Sequence, residues 1–433
     1  MAAHNQPGES FNNIPFDPGE FAATLAQLPQ ASAVFALYGA DAKAEPYIGR
    51  TPNLRARLSR LLEPSLKHPR RLQLAGLVRR IVYRLTGSDF ESLLIQFDLL
   101  QALYGAKALE RMHLRMPAFV RYLGSNAYPR ITVTNRPSLR EADWVYGPFP
   151  SRAAAERYSE EALKLFLLRR CTDDLEPDPS HPGCVYSEMK MCLAPCYKGC
   201  TDERYAQEAA AVESFLATRG ESRLVALRTE REDASARLAF EQAAALHAQV
   251  QKVEQVRAFA SELVRPLSRL RAVILQASAN ADEVAVFMFE DGRLRGPAAF
   301  STLGMRIQNE QSGSSSLFAQ PMVLEPVPEK EESREQRPGT DNAGGSDDSP
   351  KIARGVLEAR IETALAALAG DHFQPSSTIR QGHLALLKRW YYRPEVRRAG
   401  EILFPDAAGQ WPVKAILRGA GRIAAHMMTS ANA

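Results

Sequence analysis

All five cysteines of the chain fall within 30 residues, spaced Cys171-x12-Cys184-x7-Cys192-x3-Cys196-x3-Cys200. Thiolates are soft ligands, and four of them satisfy a tetrahedral zinc ion or an iron–sulfur cluster. Spacing alone does not separate these two metals. The opening residues, MAAHNQPGESFNN, lack the basic patch and apolar run of a secretory signal, so metal ligation is expected rather than disulfides, with the cytoplasm as location. A second constellation lies nearer the start. Between Arg50 and Arg84 stand ten Arg and Lys residues against the single acid Glu63, with Arg50, Arg55, Arg57, Arg60, Arg70 and Arg71 among them. A solvated helix face mixes signs, so this imbalance favours a surface facing phosphates.

The elements that position these groups are legible in outline. Residues 32–38 (SAVFALY) and 45–49 (EPYIG) are β-like runs joined by the polar turn GADAKA, a hairpin signal. Apolar residues then recur at helical spacing over Asn53 to Leu62, Leu72 to Leu85 and Phe90 to Tyr104. RITVT at 130–134 returns to strand alternation, and WVYGPFPS at 144–151, with two prolines, is expected to be a loop. Cys196 to Arg265 contains no proline and predicts two long helices, with Thr201 as cap and Gly220 as the turn between them. In the second helix Phe240, Ala243, Ala244, His247, Val250, Val253 and Val256 form a stripe, with His247 expected at the surface. Residues 270–302 alternate around a DGR turn, and a helix-rich piece over 353–393 leads to EILFP.

Composition sets the outer bounds. The 433 residues, 45% hydrophobic and 24% charged, suggest two to four domains, and no stretch approaches the roughly 20 apolar residues of a membrane span. A net charge of +4 conceals the basic N-terminal run and an acidic stretch, EKEESREQRPGTDNAGGSDDSP, that has no aromatic or branched aliphatic residue. That stretch cannot bury enough surface to offset its ordering entropy, so 308–352 is expected to be a disordered linker.

AVF at 33–35, YIG at 47–49 and R-x-x-N-L-R-x-R at 50–57 resemble the GIY-YIG nuclease motif as carried by the UvrC family of the UvrABC excision nuclease. The resemblance implies a metal-dependent phosphodiester cut in which arginine and a divalent ion neutralise the growing charge on phosphate. It assigns the second-strand tyrosine to Tyr47, the close-packed glycine to Gly49 and the helix arginine to Arg57, with Arg50 in place of the usual lysine. Two positions depart from the pattern. Phe35 stands where the first-strand tyrosine belongs, and Gln96 stands where the family's metal glutamate belongs, a neutral amide being a poor magnesium ligand. Asp98 lies about 200° around the same helix and points elsewhere. The resemblance implies a domain that binds double-stranded DNA with cleavage weak or lost; an active endonuclease making a single incision with magnesium or manganese is the alternative.

GPFPS at 147–151, K-L-F-L-L-R-R-C at 164–171 and G-C-V-Y-S-E-M-K-M-C-L-A-P-C at 183–196 resemble the same family's connector. This implies an iron–sulfur site at Cys171, Cys184, Cys192 and Cys196, zinc being the alternative, and leaves Cys200 as an extra thiol. The run 238–254 resembles the UVR motif, which implies pairing with a UvrB-type helicase through Phe240 and Ala244, with Glu241 at the polar edge. A metal-cluster adaptor without a repair role is a further alternative.

The chain is thus expected to be a multidomain α+β protein. Its parts are a GIY-YIG-like domain of mixed α/β structure at 28–136, a cysteine-rich connector at 137–200 and a UVR helical hairpin at 201–264. A β-containing remnant of the family's C-terminal half follows at 265–307 and 353–425. The family's RNase H-like endonuclease and helix-hairpin-helix modules find no counterpart in this sequence, so a truncated member is the expectation.

Overall fold

A computed structural model describes residues 11–41, 43–63, 74–172, 175–305, 354–369, 376–394 and 397–431. The expected linker at 308–352 and the basic residues Lys67, Arg70 and Arg71 lie outside the described residues. Among the described residues helices mix with three antiparallel sheets of four strands each, which is compatible with a multidomain α+β chain.

The first sheet has the order β1-β4-β2-β3, from Asn12–Pro15 (β1), Ala33–Gly39 (β2), Tyr47–Thr51 (β3) and Val78–Leu85 (β4). Helices Phe21–Gln27 (α1), Leu54–Leu62 (α2) and Asp89–Tyr104 (α3) accompany it, followed by Lys107–Arg111 (α4). Asn53 caps α2 by accepting from the Ala56 N–H at 2.9 Å, and Ser88 caps α3 by accepting from the Glu91 N–H at 3.1 Å. The alternation of β2 and β3 sorts side chains by face. Phe35, Leu37, Tyr47, Ile81 and Tyr83 share a core with the leucines of α2, whereas Ile48 turns the other way into a core with α3.

The helix expected over Leu72 to Leu85 is instead strand β4 from Val78 onward. It lies between β1 and β2 and pairs Phe35 with Tyr83. Ile81, Val82 and Tyr83 are all buried, so both faces are covered and the two-residue period is masked. The β-branched and aromatic content is the truer signal.

A second sheet, β6-β5-β7-β8, is built from Ala118–Tyr122 (β5), Ile131–Thr134 (β6), Val145–Phe149 (β7) and Arg265–Pro266 (β8). The segment expected to be a loop at 144–151 is therefore mostly the buried strand β7. Its register against β5 slips between Ala118 and Val120, opposite Gly147 and Pro148, so the missing proline N–H falls at an irregularity in the ladder. Helix Arg152–Leu163 (α5), the short turn Val185–Glu188 (α6) and Asp202–Ala217 (α7) belong to this part, with Thr201 capping α7 through the Arg204 N–H at 3.2 Å.

Beyond α7 the chain forms Glu221–Ala236 (α8) and Phe240–Arg257 (α9), so the stretch expected as two helices holds three. Gly220 does turn the chain, at φ +84°, but between α7 and α8. The second turn carries no glycine; Leu238 takes its left-handed conformation at φ +58°. Composition therefore does not mark it.

The third sheet, β11-β10-β9-β12, contains Ala272–Ala277 (β9), Glu283–Glu290 (β10), Arg293–Ser301 (β11) and Glu401–Leu403 (β12). Asp291 and Gly292 both have positive φ in the expected DGR turn joining β10 to β11. Arg354–Ala369 (α10) and Val413–Ala431 (α12) pack on one face of this sheet. Ser377–Tyr391 (α11) and α3 pack on the other, where Phe90, Phe97, Phe287, Leu384 and Trp390 share a core. Gly382 of α11 meets Phe97 of α3 so closely that a Cβ would stand 2.0 Å from the ring. His383, buried beside it, accepts from the Leu294 N–H at 2.9 Å through Nδ1, and its Nε2 lies 3.4 Å from Asp98.

Candidate functional site

Strands β2 and β3 pair with Phe35 opposite Gly49 and Leu37 opposite Tyr47. The Phe35 and Tyr47 rings stand 6.1 Å apart between centroids, and a Cβ at Gly49 would lie 2.7 Å from Phe35 Cζ. Gly49 is therefore close-packed as its place in the motif requires, and it is packed against a phenyl ring. Arg57, one turn into α2, donates to the Tyr47 hydroxyl at 3.2 Å. The structure thus brings Phe35, Tyr47, Gly49 and Arg57 together on the α2 side of the sheet.

The other candidates lie elsewhere. Arg50 alternates to the opposite side from Tyr47 and pairs with Asp89 in the first turn of α3. Gln96 is half-buried on α3, and Asp98, which is mostly exposed, reaches His383 of α11. Glu91 is the buried acid of α3; its carboxylate accepts from the Gly87 N–H at 2.9 Å. Burial raises its pKa above the ordinary carboxylate value, against the lowering effects of that hydrogen bond and of Arg84.

Not every arginine of the basic run is free to face a ligand. Arg55 donates to the Leu28 carbonyl at 2.6 Å and the Ala26 carbonyl at 3.1 Å, holding the end of α1 onto α2. Arg60 is exposed and donates to the Ala56 carbonyl of its own helix. One partner is not anticipated from the sequence. Arg393, just past α11, pairs with the same Asp89 at 2.6 Å. The run Lys388-Arg389-Trp390-Tyr391-Tyr392-Arg393 is the available signal.

The cysteines occupy the connector after α5. Thiols of Cys171, Cys184 and Cys196 lie within electrostatic range of Cys192, whereas Cys200 responds to Asp202 and Arg204 instead. Cys192 Sγ accepts from the Ala194 N–H at 3.2 Å, and Arg169 donates to Cys171 Sγ at 3.7 Å. Burial pushes the Cys192 thiol up to about 11, and the neighbouring thiols add to the effect. Ala194 and Lys198 take left-handed backbone conformations around Cys196, which lets the chain double back there. As they stand, no three of these thiols, nor any three His, Cys, Asp or Glu side chains among the described residues, converge as ligands of one ion. The donor set nonetheless fits a thiolate-bound group. Ligands of a single zinc ion must stand about 3.8 Å apart for Zn–S bonds of about 2.3 Å, and a cluster tolerates wider spacing because its irons lie between them.

In the helical hairpin the expected stripe divides. Leu246, Val250, Val253 and Val256 of α9 are buried against Leu224, Leu227 and Ala234 of α8, with Ala243 partly buried beside them. Phe240 is 66% exposed and Leu238 72% exposed, while Glu241, Ala244 and His247 also lie outside. At about 100° per residue, a stripe through Phe240, Ala244 and His247 drifts off the valine face, so it is a separate surface and not core. Arg228 with Glu254 at 2.9 Å and Arg257 with Glu221 at 3.0 Å clamp the two helices together.

Residues 119–215 match the family model described as the UvrC/Cho excinuclease middle domain. The UvrABC system protein C of Alcanivorax borkumensis is 29% identical over 287 residues, covering 66% of this chain and 46% of that protein. That of Dechloromonas aromatica is 27% identical over 378 residues, covering 87% and 58% respectively, and that of Aliivibrio salmonicida is 28% identical over 244 residues, covering 56% and 39%. The chain spans about half the length of the curated relatives it matches. No solved structure matches. Among the described residues no helix is long and apolar enough to cross a membrane. The middle-domain match and the relatives spread over most of the chain support a UvrC-family protein.

Proposed function

We propose that this chain serves nucleotide excision repair as a DNA- and partner-binding UvrC-type protein whose GIY-YIG-like domain has lost cleavage. The observation that carries the reading is Phe35 facing Gly49 in the strand pair, where the nuclease motif places a tyrosine hydroxyl. A phenyl ring keeps the packing and removes the group that relays a proton to or from the attacking water. Gln96 on α3 compounds the loss, since an amide oxygen brings no negative charge to a magnesium or manganese ion. Arg57 and Tyr47 retain a phosphate-directed arginine and its orienting hydroxyl, which suits holding DNA without cutting it.

The connector is proposed to hold an iron–sulfur cluster on Cys171, Cys184, Cys192 and Cys196, with Cys200 outside the set. Support comes from the mutual range of the four thiols, the separation of Cys200 and the backbone N–H aimed at Cys192 Sγ. Once bound, such a group cross-links loops that otherwise have few buried side chains. The α8–α9 hairpin is proposed to dock a UvrB-type helicase through exposed Leu238, Phe240 and Ala244, with Glu241 at the rim.

The test is a nicking assay of the purified chain with magnesium or manganese on lesion-bearing duplex in the presence of a UvrB-type partner. Complex formation without nicking supports the reading. Robust incision that disappears in Tyr47→Phe and Arg57→Ala overturns it in favour of an active single-incision endonuclease.

A further inference from the structure

Asp89 is the meeting point of two segments far apart in sequence. It pairs with Arg50 from β3 and, at 2.6 Å, with Arg393 beyond α11. Arg389 is exposed one turn before Arg393 and lies within electrostatic range of Arg50, as Arg393 does. Local rules account for each piece. An acid in the first turn of α3 and cations in the last turn of α11 both suit the helix dipoles. They do not account for the convergence, because the end of α11 already has Lys388 and Arg389 and gains nothing from a third cation brought by β3.

Among the described residues Asp89 is the one carboxylate ion-paired to Arg50 or Arg393, so two guanidiniums share a single negative charge while Arg389 adds a third cation within electrostatic range of Arg50. The junction is open: the side chains of Arg50, Asp89 and Arg393 are 35%, 41% and 26% exposed. Guanidinium forks match phosphate oxygens and carry their charge at all working pH values. A backbone phosphate entering here relieves the like-charge repulsion that the fold leaves in place.

We propose that Arg50, Arg389 and Arg393 form a seat for a DNA backbone phosphate, built jointly by the N-terminal domain and the C-terminal module around Asp89. The seat rests on the reading that this chain binds DNA and deepens it, since the grip then spans both modules and is not confined to α2. Contacts of this kind are indifferent to base sequence.

The experiment measures binding of the full chain to a fluorescent random-sequence duplex by anisotropy across roughly 50–200 mM salt. Each phosphate contact removed makes the slope of log affinity against log salt shallower by about 0.9. Arg389→Gln is expected to weaken binding with a slope change near one, the Arg389→Gln/Arg393→Gln pair near two, and Arg389→Lys to keep the slope. Arg389→Gln leaves the Asp89 pairs intact, so its effect is not a loss of module docking; an unchanged melting temperature checks this. Arg60→Gln on α2 serves as the independent arm. If the parent binds and Arg60→Gln weakens it while both α11 variants match the parent in affinity and slope, the seat is overturned and the DNA-binding reading stands. If the parent does not bind duplex at all, both fall.

Discussion

Phe35 and Gly49 face each other across the β2–β3 pair so closely that a Cβ on Gly49 would stand 2.7 Å from the ring. The glycine of the motif is thus held by packing even though the hydroxyl that accompanies it in a nuclease is gone. Gly49→Ala is expected to destabilise the N-terminal domain by about 1–3 kcal/mol, because a completely buried ring has no room to yield. Thermal melts of Gly49→Ala beside Phe35→Leu/Gly49→Ala check this: the smaller side chain is expected to recover part of the loss, and no recovery counts against the contact.

How much of the molecule is legible in its sequence follows from which signals are local. The hairpin, the Asn53 to Leu62 helix, the Thr201 cap and the DGR turn are fixed by residues adjacent in sequence, and the structure has each of them. Strands β4 and β7 escape such a reading because their patterns are set by partners on both faces, which a single segment does not reveal. The same holds for the site. Phe35, Tyr47, Gly49 and Arg57 are readable from the motif, but Arg393 reaching Asp89 depends on how the C-terminal module packs on α3.

That packing turns on Gly382, whose missing Cβ admits the Phe97 ring. Gly382→Ala is expected to cost about 1–3 kcal/mol and to loosen α11 from α3. Hydrogen exchange in α11 and β9 should rise above the parent while exchange in β2 and β3 stays unchanged; uniform exchange through all of these elements would refute a local wedge.

Glu91 predicts a pH dependence. Its carboxyl is raised by burial, so the folded chain holds that proton more tightly than the unfolded chain does. The stability linked to this group is full below the unfolded value and is lost as pH rises through the raised folded value. Glu91→Gln keeps an acceptor for the Gly87 N–H and removes the buried charge, so it should melt above the parent at neutral pH. The gap should close as pH falls into the ordinary carboxylate range; a gap that widens on acidification reverses the sign.

The connector separates by variant. Anaerobically purified parent and Cys200→Ser should carry equal iron with visible absorbance, and Cys192→Ser should lose most of both. Zinc in place of iron, released by the same variant, would replace the cluster with a single ion.

The hairpin admits a cleaner deletion than removal of all of 201–264, because α7 contributes Tyr205, Val212 and Phe215 to the core beside the second sheet. Excising only α8 and α9 with a short linker is expected to abolish co-purification with a UvrB-type partner and leave the N-terminal domain folded. Phe240→Ala, at a site 66% exposed, should weaken association with little change in melting temperature.

DNA binding is proposed to persist in this chain where cleavage has lapsed. Purified chain with a UvrB-type partner, lesion-bearing duplex and magnesium or manganese tests it directly. A shifted complex is expected, with nicking no higher than that of Tyr47→Phe/Arg57→Ala. Strong nicking by the parent that this double variant abolishes would contradict it.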